Sequence, residues 1–188
     1  MNEIEWAKSV QTLINNQLEK RDPTLTMKQG AQLPYTSEIR LYHDQLPVTY
    51  DAISYETDLL LIESTSDGKW KPRVVIETKI VKVTTHDAIT YSEKAFTHKR
   101  VHPYLRYGIL LGDRKQYPLP GRLFRHGLYF DFMLSWAEEV ASPQENQDLL
   151  DVLLDEVDAS RCLEEMLYNS RSSSRKRYVV LHKPLRLR

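Results

Sequence analysis

A single cysteine, no surplus of either charge and no long apolar run bound this 188-residue chain before any motif is read. Cys162 stands alone, so no internal disulfide and no thiolate metal cluster can form. Lys plus Arg number 26 and Asp plus Glu 26, so the basic excess of many nucleic-acid-binding domains is missing. No stretch approaches the length needed to span a bilayer. The start, Met1-Asn2-Glu3-Ile4-Glu5-Trp6, lacks both the basic and the apolar regions of a signal peptide. A soluble, cytoplasmic protein with no membrane partner is the expectation. No Gly-x-x-x-x-Gly-Lys loop occurs, which argues against a nucleotide cofactor and an ATP-driven motor.

What is present is a chain with 41% hydrophobic residues, enough for a core, arranged with uneven charge. Its length predicts one compact domain. Acids dominate from Ala137 to Glu165. The tail then reverses sign with Arg171, Arg175, Lys176, Arg177, Lys183, Arg186 and Arg188. Ile4, Val10, Leu13, Ile14 and Leu18 predict an amphipathic helix over about 3–19. Residues 24–34 read as a loop, and 36–42 as either a strand or a short helix. Strands are predicted over 52–62 and 70–80, joined by the turn 64–69 as an antiparallel hairpin. Thr84 and Asp87 stand at capping-box spacing before a helix over about 87–101. Arg106–Gly112 reads as a buried strand, parallel to 70–80 through a βαβ crossover. Residues 117–121 read as a loop and 128–134 as a further strand. A helix over about 143–167 follows, then a hinge at 170–174 and a candidate edge strand at 178–181.

The chemistry concentrates at two strand ends. Asp58 opens the apolar run Leu59-Leu60-Leu61-Ile62, and Val74-Val75-Ile76 runs straight into Glu77-Thr78-Lys79. Alternation along a strand puts Glu77 and Lys79 on one face. Two carboxylates can ligate a hard divalent cation such as Mg²⁺, with Mn²⁺ as a substitute, and the Thr78 carbonyl offers a third oxygen. Such a cation lowers the pKa of water and offsets charge on a phosphate, while the Lys79 ammonium orients water or stabilises the transition state.

An acid opening a hydrophobic strand, a hairpin turn, then Val-Val-Ile-Glu-Thr-Lys, a basic helix and a Gly-flanked strand resembles the PD-(D/E)XK nuclease superfamily. The resemblance covers roughly residues 38–113. It implies the restriction-endonuclease-like fold, an α/β core of about residues 36–113 with a central mixed sheet flanked by helices, and metal-dependent cleavage of DNA. It makes Asp58 and Glu77 metal ligands and Lys79 the catalytic lysine. Thr57 stands where the motif has proline. Some members add a glutamate from an upstream helix, for which Glu38 is the first candidate, ahead of Glu5 and Glu19. Restriction or defence against foreign DNA, by a homodimer with one site per strand, is the setting it implies.

The helix after the site carries Lys94, His98, Lys99 and Arg100, candidate contacts to the nucleic-acid backbone, with Lys94 and His98 one turn apart. His98 and His102 also have i, i+4 metal-ligand spacing, but no third ligand accompanies them. Two other functions fit the same chain. One is a nuclease-fold DNA-binding or assembly protein without cleavage. The other is an unrelated α/β interaction domain working through its acidic helix and basic tail.

Overall fold

The computed structural model describes residues 1–115, 118–169, 171–174, 176–182 and 185–187. Tyr117 of the expected loop, Ser170 of the expected hinge, and Arg175, Lys183 and Arg188 of the basic tail lie outside the described residues. The chain is α/β, with helices on both faces of a five-stranded mixed sheet ordered β1-β2-β3-β4-β5.

Helix α1 (Glu3–Arg21) begins at a reciprocal cap between Asn2 and Glu5. Its buried stripe, Trp6, Ala7, Val10, Ile14 and Leu18, has helical spacing and enters the main core. Strands β1 (Leu25–His43) and β2 (Leu46–Ser64) form a long antiparallel ribbon, closed at its tip by Asp44 at φ 54°. Strand β3 (Trp70–Ile80) pairs antiparallel with β2, but only from Leu59↔Ile76 to Ser64↔Trp70. The hairpin turn between them is as expected. Helix α2 (Thr85–Val101), capped reciprocally by Thr84 and Asp87, returns the chain to β4 (Arg106–Gly112), parallel to β3. Helix α3 (Gly121–His126) leads to β5 (Phe132–Ser135), parallel to β4, and α4 (Pro143–Tyr168) completes the fold.

One layer holds α1 and α4 against Leu59, Leu61, Val74 and Ile76. The other sets α2 against Leu60, Val75 and Tyr107, and α3 against Ile109 and Leu111. The acidic α4 therefore lies on the face opposite α2, with Leu149, Leu150, Leu153 and Val157 buried as core. It is tied to the sheet by ions: Arg73, nearly fully buried, pairs with Glu63 (2.5 Å) and Glu164 (2.7 Å), and Arg161 reaches Glu63 and Asp22.

Three expectations need correction. Of residues 24–34, all from Leu25 on are strand, not loop: Leu25 and Met27 are buried while Thr26 and Lys28 are exposed, a period of two that the polar residues and Gly30 obscure. Gly30, at φ 64°, stands where the ribbon changes layers, since Leu25 and Met27 face α1 but Ala31 and Leu33 face α2. Pro34 is tolerated because β1 is an edge strand. The segment 36–42, open between strand and helix, is also strand. In 128–134 only Phe132 onward is strand, because Gly127–Phe130 closes a turn and leaves Leu128 in solvent. Tyr178–Leu181 forms no strand; its side chains are exposed, Val179 at 97%.

Candidate active site

The site lies where β2 leaves β3. Val75 faces α2, so alternation places Glu77 and Lys79 on that same side. The β2–β3 ladder stops at Leu59↔Ile76, and the next antiparallel step sets Asp58 across from Glu77. Asp58 is held there by Thr78, whose backbone N–H (2.7 Å) and hydroxyl (3.0 Å) both donate to Asp58 Oδ2.

Glu77 is buried, with 1% of its surface exposed. The Tyr107 hydroxyl donates to its Oε1, and Lys94 Nζ lies 3.6 Å from the same oxygen. Its other oxygen, Oε2, is buried and has no hydrogen-bond partner among the described residues. Desolvation, and next the Asp58 charge, push the Glu77 pKa up to about 7, against the opposing pull of Lys94 and Tyr107. An orphaned, dehydrated carboxylate oxygen is costly in a folded protein.

Lys79, two residues further along β3, is half-buried. Its ammonium is 3.1 Å from Glu3 Oε2 and 5.6 Å from the centre of the Tyr91 ring. Desolvation works to lower its pKa, but Tyr91 and Glu3 outweigh it and hold the pKa above the ordinary lysine value. Lys79 is thus a fixed cation in this arrangement, suited to electrostatic stabilisation rather than to proton abstraction. Lys94 lies over both Tyr91 (5.3 Å) and Tyr55 (5.6 Å). Tyr55 stacks on Tyr35, with ring centres 3.9 Å apart at the root of the ribbon.

The donor set suits a hard cation. Glu77 Oε2 needs a partner, Asp58 stands opposite, and the Thr78 carbonyl belongs to the residue between Glu77 and Lys79. Among the described residues no three His, Cys, Asp or Glu side chains cluster. Any ion would therefore be held by one or two carboxylates and complete its shell with backbone oxygen, water or substrate, as Mg²⁺ commonly does.

The structure thus brings together Asp58, Glu77, Thr78, Lys79 and Lys94, but not the other candidates. Glu38 pairs with Asp51 far out on the ribbon, roughly 20 Å along β2 from Asp58 at the rise of a strand. It is Glu3, at the start of α1, that reaches Lys79; Glu5 is occupied by the cap and Glu19 is exposed. His98 is fully buried, with ring nitrogens 3.0 Å from the Lys94 carbonyl and 3.1 Å from that of Leu33. Desolvation drives its pKa down to about 4, so it is a neutral core residue rather than a backbone contact. Lys99 pairs with Asp131 and the Tyr129 carbonyl, and Arg100 lies over Phe96, both turned from Glu77.

Sequence reasoning missed Glu3, Tyr91 and the hydroxyl role of Tyr107. It also missed Lys82, Arg114 and Lys115, which line an open groove with Val81 and Asp113. A usable signal existed, because loops at the carboxyl ends of parallel strands converge in α/β sheets. Val81, a β-branched residue at φ 61°, fixes the exit from β3; its N–H donates to the Gly112 carbonyl and its own carbonyl accepts from Arg114. Gly112 has no Cβ because the Trp6 ring occupies that space, and this close approach brings the start of α1, with Glu3, to Lys79. No family model matches this chain, and no curated protein matches it.

Proposed function

We propose that the Asp58–Glu77–Lys79 site is the centre of a metal-dependent endonuclease of restriction-endonuclease-like fold that hydrolyses DNA phosphodiesters. The observation that carries this reading is Glu77 Oε2: a buried carboxylate oxygen without a partner among the described residues, opposite a second carboxylate and two residues before a lysine. A bound Mg²⁺ or Mn²⁺ would polarise the phosphate and ease deprotonation of the attacking water.

The chain's own residues have separable tasks. Thr78 orients Asp58 by two hydrogen bonds, and Tyr107 fixes Glu77 through Oε1, which leaves the buried Oε2 as the oxygen a cation would take. Lys79, kept charged by Tyr91 and Glu3, stabilises negative charge accumulating on the phosphoryl oxygens. Lys94 offsets part of the Asp58–Glu77 repulsion until the cation arrives. The groove with Lys82, Arg114 and Lys115 offers cations for neighbouring phosphates.

The test is cleavage of supercoiled plasmid and linear phage DNA with Mg²⁺, Mn²⁺ or EDTA, beside Lys79→Ala. Metal-dependent cutting lost in the variant supports the reading. Discrete fragments would fit restriction or defence, and a smear would fit a nuclease of low sequence preference. Absence of cutting together with DNA retention would favour a nuclease-fold binding or assembly protein.

A further inference from the structure

Two exposed apolar segments of this chain match one another in shape and charge. The outer ribbon presents Ile39, Leu41, Tyr42, Leu46, Val48 and Tyr50, each about half exposed or more. Among the described residues no strand but β1 pairs with β2 upstream of Leu59, so the outer ribbon has an open hydrogen-bonding edge on each side. An isolated two-stranded ribbon is marginal in water. The second segment is Tyr178-Val179-Val180-Leu181, strand-forming residues left unpaired, with Val180 and Leu181 more than three-quarters exposed.

Charge selects the pairing. The ribbon from 38 to 51 holds Glu38, Asp44 and Asp51 against Arg40 alone, so two ribbons repel each other and so does a phosphate backbone. The sequence from Arg171 onward holds seven Lys and Arg and no acid. The root of the tail already lies along its own acidic α4, where the Lys176 N–H donates to Glu165 (3.3 Å) and Tyr178 contacts Cys162. That contact leaves the apolar side chains uncovered.

Distance selects the partner. The turn of α4 at Arg161 is bound to Glu63, at the end of β2 remote from the tip. From Glu63 to Tyr50 is about 40 Å at the rise of a strand. Even peeled from α4, the chain between Asn169 and Val179 spans at most roughly 35 Å.

We propose that Tyr178–Leu181 of one copy adds as a strand to the outer β1–β2 ribbon of a second copy, with reciprocal exchange closing a two-fold dimer. The pairing does not rest on hydrolysis at Glu77, so Lys79→Ala can abolish cleavage while leaving assembly unchanged.

The test uses sedimentation velocity of the full chain at micromolar concentration, with circular dichroism as a fold control. The variants are Tyr50→Asp on the ribbon and Val179→Asp/Val180→Asp on the tail, all at exposed positions. The wild type is expected as a dimer and each variant alone as a monomer, with association weakened at least about tenfold. An equimolar mixture, one partner fluorescently labelled, is expected to recover dimers, because the intact tail of the ribbon variant meets the intact ribbon of the tail variant. A monomeric wild type overturns the proposal, as does a dimer indifferent to either variant. So does a mixture that fails to recover dimers, which would mean that the tail of one copy and the ribbon of the other are not the paired elements. A monomeric wild type whose DNA retention depends on Val179 and Val180 would assign the tail to nucleic acid.

Discussion

Replacing Glu77 by Gln should stabilise this fold, and the gain should appear only as pH rises. Glu77 has a pKa of about 7 in the fold against an ordinary 4.5, so the folded chain holds its proton more tightly than the unfolded chain. Below pH 4.5 the carboxyl is neutral in both states and its burial carries no charge penalty. As pH rises toward 7 the unfolded state ionises first, and stability is lost until the folded group also ionises. The total loss is about 3 kcal/mol. Gln keeps an acceptor for the Tyr107 hydroxyl but never acquires the charge. Buried His98, with a pKa of about 4 against 6.5, has the opposite slope: its contribution is full above pH 6.5 and lost as pH falls through 4. The two slopes oppose each other in the wild type, and the variant-minus-wild-type difference isolates Glu77. Urea unfolding from pH 4 to 8.5 in EDTA should give a difference near zero at the acid end and about 3 kcal/mol above pH 7. In melting temperature that is on the order of 10 °C. Mg²⁺ at about a hundred times its Kd should return a similar 2.7 kcal/mol to the wild type at pH 8 and nothing to Glu77→Gln. A difference independent of pH, or a variant less stable than wild type at pH 8, would refute the reasoning.

Tyr107→Phe should weaken Mg²⁺ binding about 10- to 100-fold by calorimetry, because the hydroxyl that fixes Glu77 Oε1 is gone while the ring remains. Lys79→Ala should leave Mg²⁺ affinity within a few-fold of wild type yet reduce cleavage on the order of a hundredfold or more, the loss expected for one charge-stabilising group. Arg73→Ala should cost about 3 kcal/mol in urea unfolding, because it strips a buried cation from Glu63 and Glu164 and loosens α4 from the sheet.

Where hydrophobic period and cap chemistry agreed, sequence and structure coincide. Strand β3 and strand β4 have the bounds read from the chain, and the Thr84–Asp87 cap starts α2 within two residues of the expected place. The ribbon was harder because its information is not local. Residues 24–34 carry Gln29, Gly30 and Pro34, which read as loop until the edge position of β1 and the layer change at Gly30 are known. Among candidate site residues, the proximity of Asp58, Glu77 and Lys79 was legible because strand alternation and one hairpin suffice to bring them together. Glu3 was not, since its approach to Lys79 depends on Trp6 docking over Gly112, a contact between residues far apart in the chain. His98 misled for the opposite reason: a basic helix face looks solvated in sequence, yet the ribbon folds across it and places the Leu33 carbonyl on the ring.

The position of the fork explains why two carboxylates can sit this close in a protein core. Had the β2–β3 ladder continued past Leu59↔Ile76, Asp58 and Glu77 would be a cross-strand like-charge pair with covered flanks, a destabilising arrangement. Because β2 departs with β1 alone, Thr78 can turn its amide and hydroxyl to Asp58 instead of to a ladder partner. Departure also leaves no ladder partner across β3 from Glu77, whose buried Oε2 has none among the described residues. The same departure produces the exposed apolar ribbon. Shortening the ribbon to remove that exposed surface would bring the end of β2 toward Asp58 and disturb its bonds to Thr78. On this reading the site and the assembly surface have one structural origin, and burying the ribbon between copies is how the chain retains both.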